Sequence, residues 1–157
     1  MNNELIQRYE EGARELRAAV AELTREEFCA YPVPGTWSIQ QIVVHLLDTE
    51  MVLTERMKRT IAEENPTLMS FDETAWVKNL HYEEWSAEDA VAIIQLIRRN
   101  FAKVLKKLPE TALDRMGSHS EKGPMALRQM LEMVSKHAAH HLNFVNEKRT
   151  ILEKQRT

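Results

Sequence analysis

The run Met133-Val-Ser-Lys-His-Ala-Ala-His-His-Leu-Asn-Phe-Val145 sets His137, His140 and His141 into an otherwise apolar helical stripe. With Val134 at zero and about 100° per residue, Leu127, Met130, His137, His141 and Val145 fall within an arc about 80° wide, which Ala138 extends. Arg128, Glu132, Lys136, Asn143, Asn146 and Glu147 occupy the other side. His137 and His141 therefore belong to the dry face, and His140 lies about 60° beyond His137 at its margin. Imidazoles at i and i+4 project side by side, the spacing by which a helix offers two nitrogen ligands to one ion. The competing reading is a pair of core histidines bonded to carbonyls or carboxylates, because an unpaired buried imidazole is costly. A third histidine, His45, in the stretch Trp37-Ser-Ile-Gln-Gln-Ile-Val-Val-His45-Leu, makes metal binding the stronger reading. Asp48, at i+3 from His45, could accept the ring proton and set its tautomer, as carboxylates do behind metal-bound histidines; a solvated face is the alternative for Asp48 and the reading for Glu50.

Four amphipathic helices are needed to carry these residues. Leu5, Tyr9, Gly12, Leu16, Ala19, Val20 and Leu23 recur at helical steps behind Asn2 and Asn3, which can cap, so a first helix covers about residues 3 to 24, with Gly12 its weak point. Pro32, Pro34 and Gly35 make a loop, and Ser38 with Gln41 forms a capping box that opens a second helix running to about Glu64. On it Ile39, Ile42, Leu46, Leu53 and Met57 form the stripe, with Val43 and Ile61 beside it and His45 at its edge. Residues 65 to 85 break the pattern, and a crossover of that length packs against the domain, with Trp76, Tyr82 and Trp85 as pocket lining or as anchors. Ser86 caps a third helix that ends before Pro109, residues 109 to 123 read as a polar loop with His119 exposed, and Pro124 suits the first turn of a fourth helix reaching about residue 153. The expected architecture is all-α: a four-helix bundle with a long crossover between helices 2 and 3, residues 1–157 forming a single domain.

Composition narrows the function. With 43% hydrophobic and 29% charged residues and a net charge of −3 from interspersed charges, the chain offers no basic surface for nucleic acid or acidic lipid. No signal peptide or membrane-length apolar run is present, so a cytoplasmic location is expected. The lone Cys29 agrees with a reducing compartment and reads as a small buried hydrophobe. Val44, Met51 and Met133 lie outside the main stripes and predict a homodimer surface.

Gly-Thr-Trp37-Ser-Ile, His45-Leu-Leu-Asp-Thr-Glu and His137-Ala-Ala-His140-His141-Leu together resemble the DinB/YfiT-like bundle superfamily, over about residues 30 to 150. The resemblance implies a four-helix bundle holding one divalent transition metal (zinc, nickel, iron or manganese) through His45, His137 and His141, with His140 the additional histidine of the last motif. It also implies a choice of chemistry on small-molecule substrates, because similar proteins include transferases of low-molecular-weight thiols, related isomerases and metal-dependent hydrolases. A three-nitrogen site leaves coordination positions open for a thiol or a water. The sequence offers no unambiguous general base, which favours thiol transfer, since a metal-bound thiolate is already deprotonated and Cys29 is then a bystander. Attack by metal-bound water, served by Asp48 or His140, is the alternative, and a non-catalytic metal-stabilised binding module is the third reading.

Overall fold

A computed structural model describes residues 2–156. Its long helices are α1 (Asn2–Ala19), α3 (Ile39–Ala62), α5 (Ala87–Leu105) and α6 (Leu127–Gln155); α2 (Arg25–Cys29) and α4 (Glu73–Asn79) are short. α1 and α3 each pack chiefly against α5 and α6, so they stand across a diagonal of a four-helix bundle. One apolar core lies toward α2, around Phe28, Ile42 and Leu142, and a second lies toward the opposite end, around Leu53, Phe101 and Met130. No helix among the described residues is long and apolar enough to cross a membrane.

Several boundaries differ from expectation for local reasons. α1 already includes Asn2 and Asn3, and it stops at Ala19 instead of continuing to Thr24. Glu22 turns the chain with φ 64°, and Thr24 caps α2 reciprocally: its hydroxyl accepts from Glu27 N at 3.3 Å, and its N–H donates to Glu27 Oε2 at 2.8 Å. Ser38 and Gln41 cap α3 in the expected way, at 3.1 and 3.0 Å. The supposed loop at 109–123 holds a 3-10 turn and the central strand of a small sheet, in which β1 (Thr67–Leu68) pairs in parallel with β2 (Met116–His119), and β2 pairs antiparallel with β3 (Gly123–Ala126). Pro124 consequently sits in the edge strand β3 opposite Ser118, where its missing N–H is tolerated, and not in the first turn of α6. His119 is buried, 5% exposed, with Nδ1 accepting from the N–H groups of Glu121 and Lys122 at 3.2 and 3.3 Å.

The crossover is ordered and clasped to α3. Gln40 donates to the Tyr82 and Trp85 carbonyls, at 2.9 and 2.6 Å, and the Tyr82 hydroxyl donates to Asp48. Val44 packs between these contacts against Val77 and Tyr82. Four-residue steps carry Gln40, Val44 and Asp48 along one side of α3, so Val44 is spoken for by the crossover and does not belong to an outer surface. Trp76 is half-buried against the same cluster, whereas Trp85 remains 39% exposed.

At the centre of the bundle Glu50 is 1% exposed, not solvated. It accepts from Arg98 Nε and Nη2 at 2.9 and 2.7 Å and from the Tyr9 hydroxyl at 2.6 Å, while Arg98 Nη1 donates to the Tyr9 carbonyl at 2.9 Å. Three helices are joined by this knot. A Cβ on Gly12 would stand 2.6 Å from Arg98 Nη1, so the glycine that weakens α1 as a helix is what admits the guanidinium.

Candidate metal centre

His45 comes from the middle of α3, and His137 and His141 come from successive turns of α6. The expected set is brought together: one ring nitrogen from each lies within 4.8 Å of the others. His45 Nε2 and His141 Nε2 each stand 3.1 Å from His137 Nε2. His45, expected at the stripe's edge, is fully buried because α6 and Trp37 close over it; the Trp37 and His45 ring centroids are 5.1 Å apart. His137 and His141 are half-buried, so the cluster opens toward solvent on their side.

Burial holds all three imidazoles down to about 4, from an ordinary value near 6.5, and neighbouring histidines press each further in the same direction. Near pH 7 the rings are therefore neutral, with lone pairs to give. One lone pair on His137 Nε2 cannot satisfy both 3.1 Å neighbours, whereas a single cation among the three nitrogens accepts from all of them. Metal–nitrogen bonds of 2.0–2.1 Å at tetrahedral angles bring ligand nitrogens to roughly 3.3 Å apart, close to the separations seen here. The residues present thus fit a divalent metal.

Asp48 does not support His45 as expected. It takes the Tyr82 hydroxyl, and His45 Nδ1 has no hydrogen-bond partner among the described residues. Asp48 lies on the crossover side of α3 while His45 faces α6. Burial raises the Asp48 carboxyl above its usual range, a rise that the Tyr82 hydrogen bond partly offsets. His140 is exposed, its ring centroid 5.5 Å from that of His141 and 4.9 Å from that of Phe144. Cys29 is a free, half-buried thiol on α2 and is absent from the cluster.

The structure adds a residue that no periodicity marked. Glu73, in the first turn of α4, brings Oε2 to 3.8 Å from His45 Nε2, and its side chain is half exposed. Nothing local distinguishes it from the neighbouring acids; only the path of the crossover brings it there. A groove of about 780 Å³ between α3 and α5, along Met51, Leu96 and Val104, contains none of the histidines. A depression of about 440 Å³ along Met133, Lys136, His137 and His140 reaches the cluster through His137, and chemistry, not size, makes it the relevant one.

The profile of the DinB superfamily matches residues 8–145. The chain belongs to the DinB superfamily. A protein of Oceanobacillus iheyensis provisionally named a metal-dependent hydrolase is 29% identical over 140 residues, which span 89% of this chain and 81% of that one. A Bacillus licheniformis protein with the same kind of name is 27% identical over 135 residues, spanning 85% and 77%. The solved structure of YfiT from Bacillus subtilis, described as a probable metal-dependent hydrolase with an unusual four-helix bundle topology, superposes with a TM-score of 0.88 at 25% identity, covering 97% of this DinB chain and 87% of YfiT.

Proposed function

We propose that this chain is a metal-dependent hydrolase in which His45, His137 and His141 hold one divalent transition metal and Glu73 is the general base. The carrying observation is the Glu73 carboxylate 3.8 Å from His45 Nε2, at the lip of the histidine cluster. The sequence favoured thiol transfer because it showed no base; Glu73 fills that gap, and the names of the relatives point the same way. A divalent cation held by three neutral imidazoles supplies Lewis acidity, lowering the pKa of a coordinated water toward about 7 and polarising a carbonyl. Glu73, with Oε2 3.8 Å from His45 Nε2, would take up the proton of the attacking water, and Trp37 covers the His45 side, limiting solvent entry there. In this reading His140, exposed beside His141, would exchange a proton with the leaving group. Three imidazoles suit zinc, nickel, iron and manganese alike, so the donor set does not choose the ion.

The test is elemental analysis of the purified protein, together with ester and amide hydrolysis measured with and without a chelator and in Glu73→Gln. The expected result is about one metal per chain, chelator-sensitive hydrolysis, and loss of turnover in the variant with metal retained. Consumption of a low-molecular-weight thiol without hydrolysis would overturn this reading in favour of transfer, and bound metal with neither hydrolysis nor thiol consumption would overturn it in favour of a metal-stabilised binding module.

A further inference from the structure

Glu73 owes its place to the way the crossover is tied to α3. The chain is held on both sides of α4. Beyond it, the Tyr82 hydroxyl donates to Asp48 and Gln40 donates to the Tyr82 carbonyl. Ahead of it, Arg56 donates Nε, at 3.0 Å, and Nη2 to the carbonyl of Met69, four residues before Glu73. Ser70 is tied in turn to the turn after β2, its N–H donating to Ser120 Oγ at 3.0 Å and its hydroxyl to Glu121 Oε1 at 2.7 Å. Arg56 follows His45, Thr49 and Val52 along one face of α3. It is an unexpected group there: it is 6% exposed, and Glu55, Glu121 and Glu73 act on its charge through space without any of them forming an ion pair with it among the described residues. A buried guanidinium without a carboxylate partner is costly, and a neutral amide could hold a lone carbonyl at less cost. What the guanidinium adds is a rigid planar fork, whose two donors fix the direction of the carbonyl as well as its distance.

Resting on the reading of Glu73 as general base, we propose that Arg56 is a positioning residue of this site: by fixing the Met69 carbonyl to the helix that carries His45, it sets the Glu73 carboxylate against the histidine cluster. His45 and Arg56 lie on one continuous helix, so the ligand and the clamp share a frame. α4 has seven residues, too few to hold its own orientation. Released at Met69, Glu73 would swing with the first turn of α4 while Val77 and Tyr82 stayed packed on Val44. Arg56 makes no hydrogen bond to His45, His137 or His141, so its loss leaves the metal ligands in place.

The experiment combines ester hydrolysis with NMR of the cobalt-loaded protein, in which the pseudocontact shifts of the Glu73, Thr74 and Ala75 amides read where α4 stands relative to the ion without any turnover. Arg56→Met, which keeps much of the stem's bulk, is expected to hold metal at the wild-type level and to lower kcat by about 10–10²-fold with KM little changed. It should also move the α4 amide shifts while those of Leu131 and Ala138 in α6 stay. In a Glu73→Gln background the same change should cost almost nothing more, because the group it places is already gone. Arg56→Lys keeps the charge and loses the fork; it should fall between wild type and Arg56→Met, and it carries the test if Arg56→Met does not fold. A loss of kcat by the same factor in both backgrounds, or α4 shifts unmoved in both variants, overturns the proposal while leaving the hydrolase reading intact. Moved α4 shifts with Glu73→Gln as active as wild type support Arg56 as the group that places α4 and overturn Glu73 as the base instead.

Discussion

Two polar clusters lie inside this bundle, and they are finished in opposite ways. The Tyr9–Glu50–Arg98 knot is closed: both Glu50 oxygens are used, Arg98 is shared between Glu50 and the Tyr9 carbonyl, and all three residues are at most 3% exposed. The His45–His137–His141 cluster is open: three lone pairs converge on one another, Nδ1 of both His45 and His141 lacks a hydrogen-bond partner among the described residues, and two of the rings reach solvent. Buried polar groups that satisfy each other rigidify a core, whereas groups that converge without satisfying each other require something further. The closed cluster therefore reads as scaffold and the open one as a ligand site.

The sharpest way to break that comparison is at the histidines. His137→Ala or His141→Ala should lower metal affinity by more than the roughly 10–100-fold typical of losing a group that only supports a ligand, with elemental analysis and chelator competition as the readouts. Equal metal in wild type and variants would place the ion elsewhere. Next, Glu73→Gln should cut kcat by about 10²–10⁴ with metal content unchanged, which separates a base from a ligand. A loss of metal in that variant would make Glu73 part of the coordination set.

At the closed cluster the expected effect is on folding. Glu50→Ala strands the Arg98 charge in the core and should cost about 3–5 kcal/mol in urea unfolding. Acid should act on the open cluster: metal-free protein holds its three histidines at about 4, so between the unfolded value near 6.5 and 4 the unfolded chain binds more protons, and stability falls as pH is lowered through that window. Bound metal should raise stability without changing the slope in the upper part of this window, where the folded site binds no proton either way, and should steepen the decline toward pH 4 as protons displace the ion, as midpoints measured from pH 7 to pH 4 will show. The smallest change is Gly12→Ala, which trades better helix propensity against crowding of Arg98 and should destabilise by about 1–3 kcal/mol. An increase in thermal midpoint would mean that Arg98 moves aside at little cost.

Much of this could be read before folding, and what escaped did so for definable reasons. Glu50 steps with Leu46, Leu53 and Met57 on α3, and Arg98 steps with Ile94, Phe101 and Leu105 on α5, so opposite charges at two core-register positions were a signal of the knot. The strands β2 and β3 are four residues each, too short for an alternation to declare itself, so local pattern alone reads His119 as exposed and Pro124 as helical.

The sequence by itself determined the four long helices, the box at Ser38 and Gln41, and the dry-face placement of His137 and His141, because helical period and capping chemistry act over neighbouring residues. Only the tertiary structure decided that His45 is buried against α6, that Asp48 answers Tyr82 instead of His45, and that Glu73 stands at the metal centre. Those contacts join residues 28 to 92 positions apart, and no local spacing encodes how the crossover lies across α3 or which pair of helices shares a diagonal.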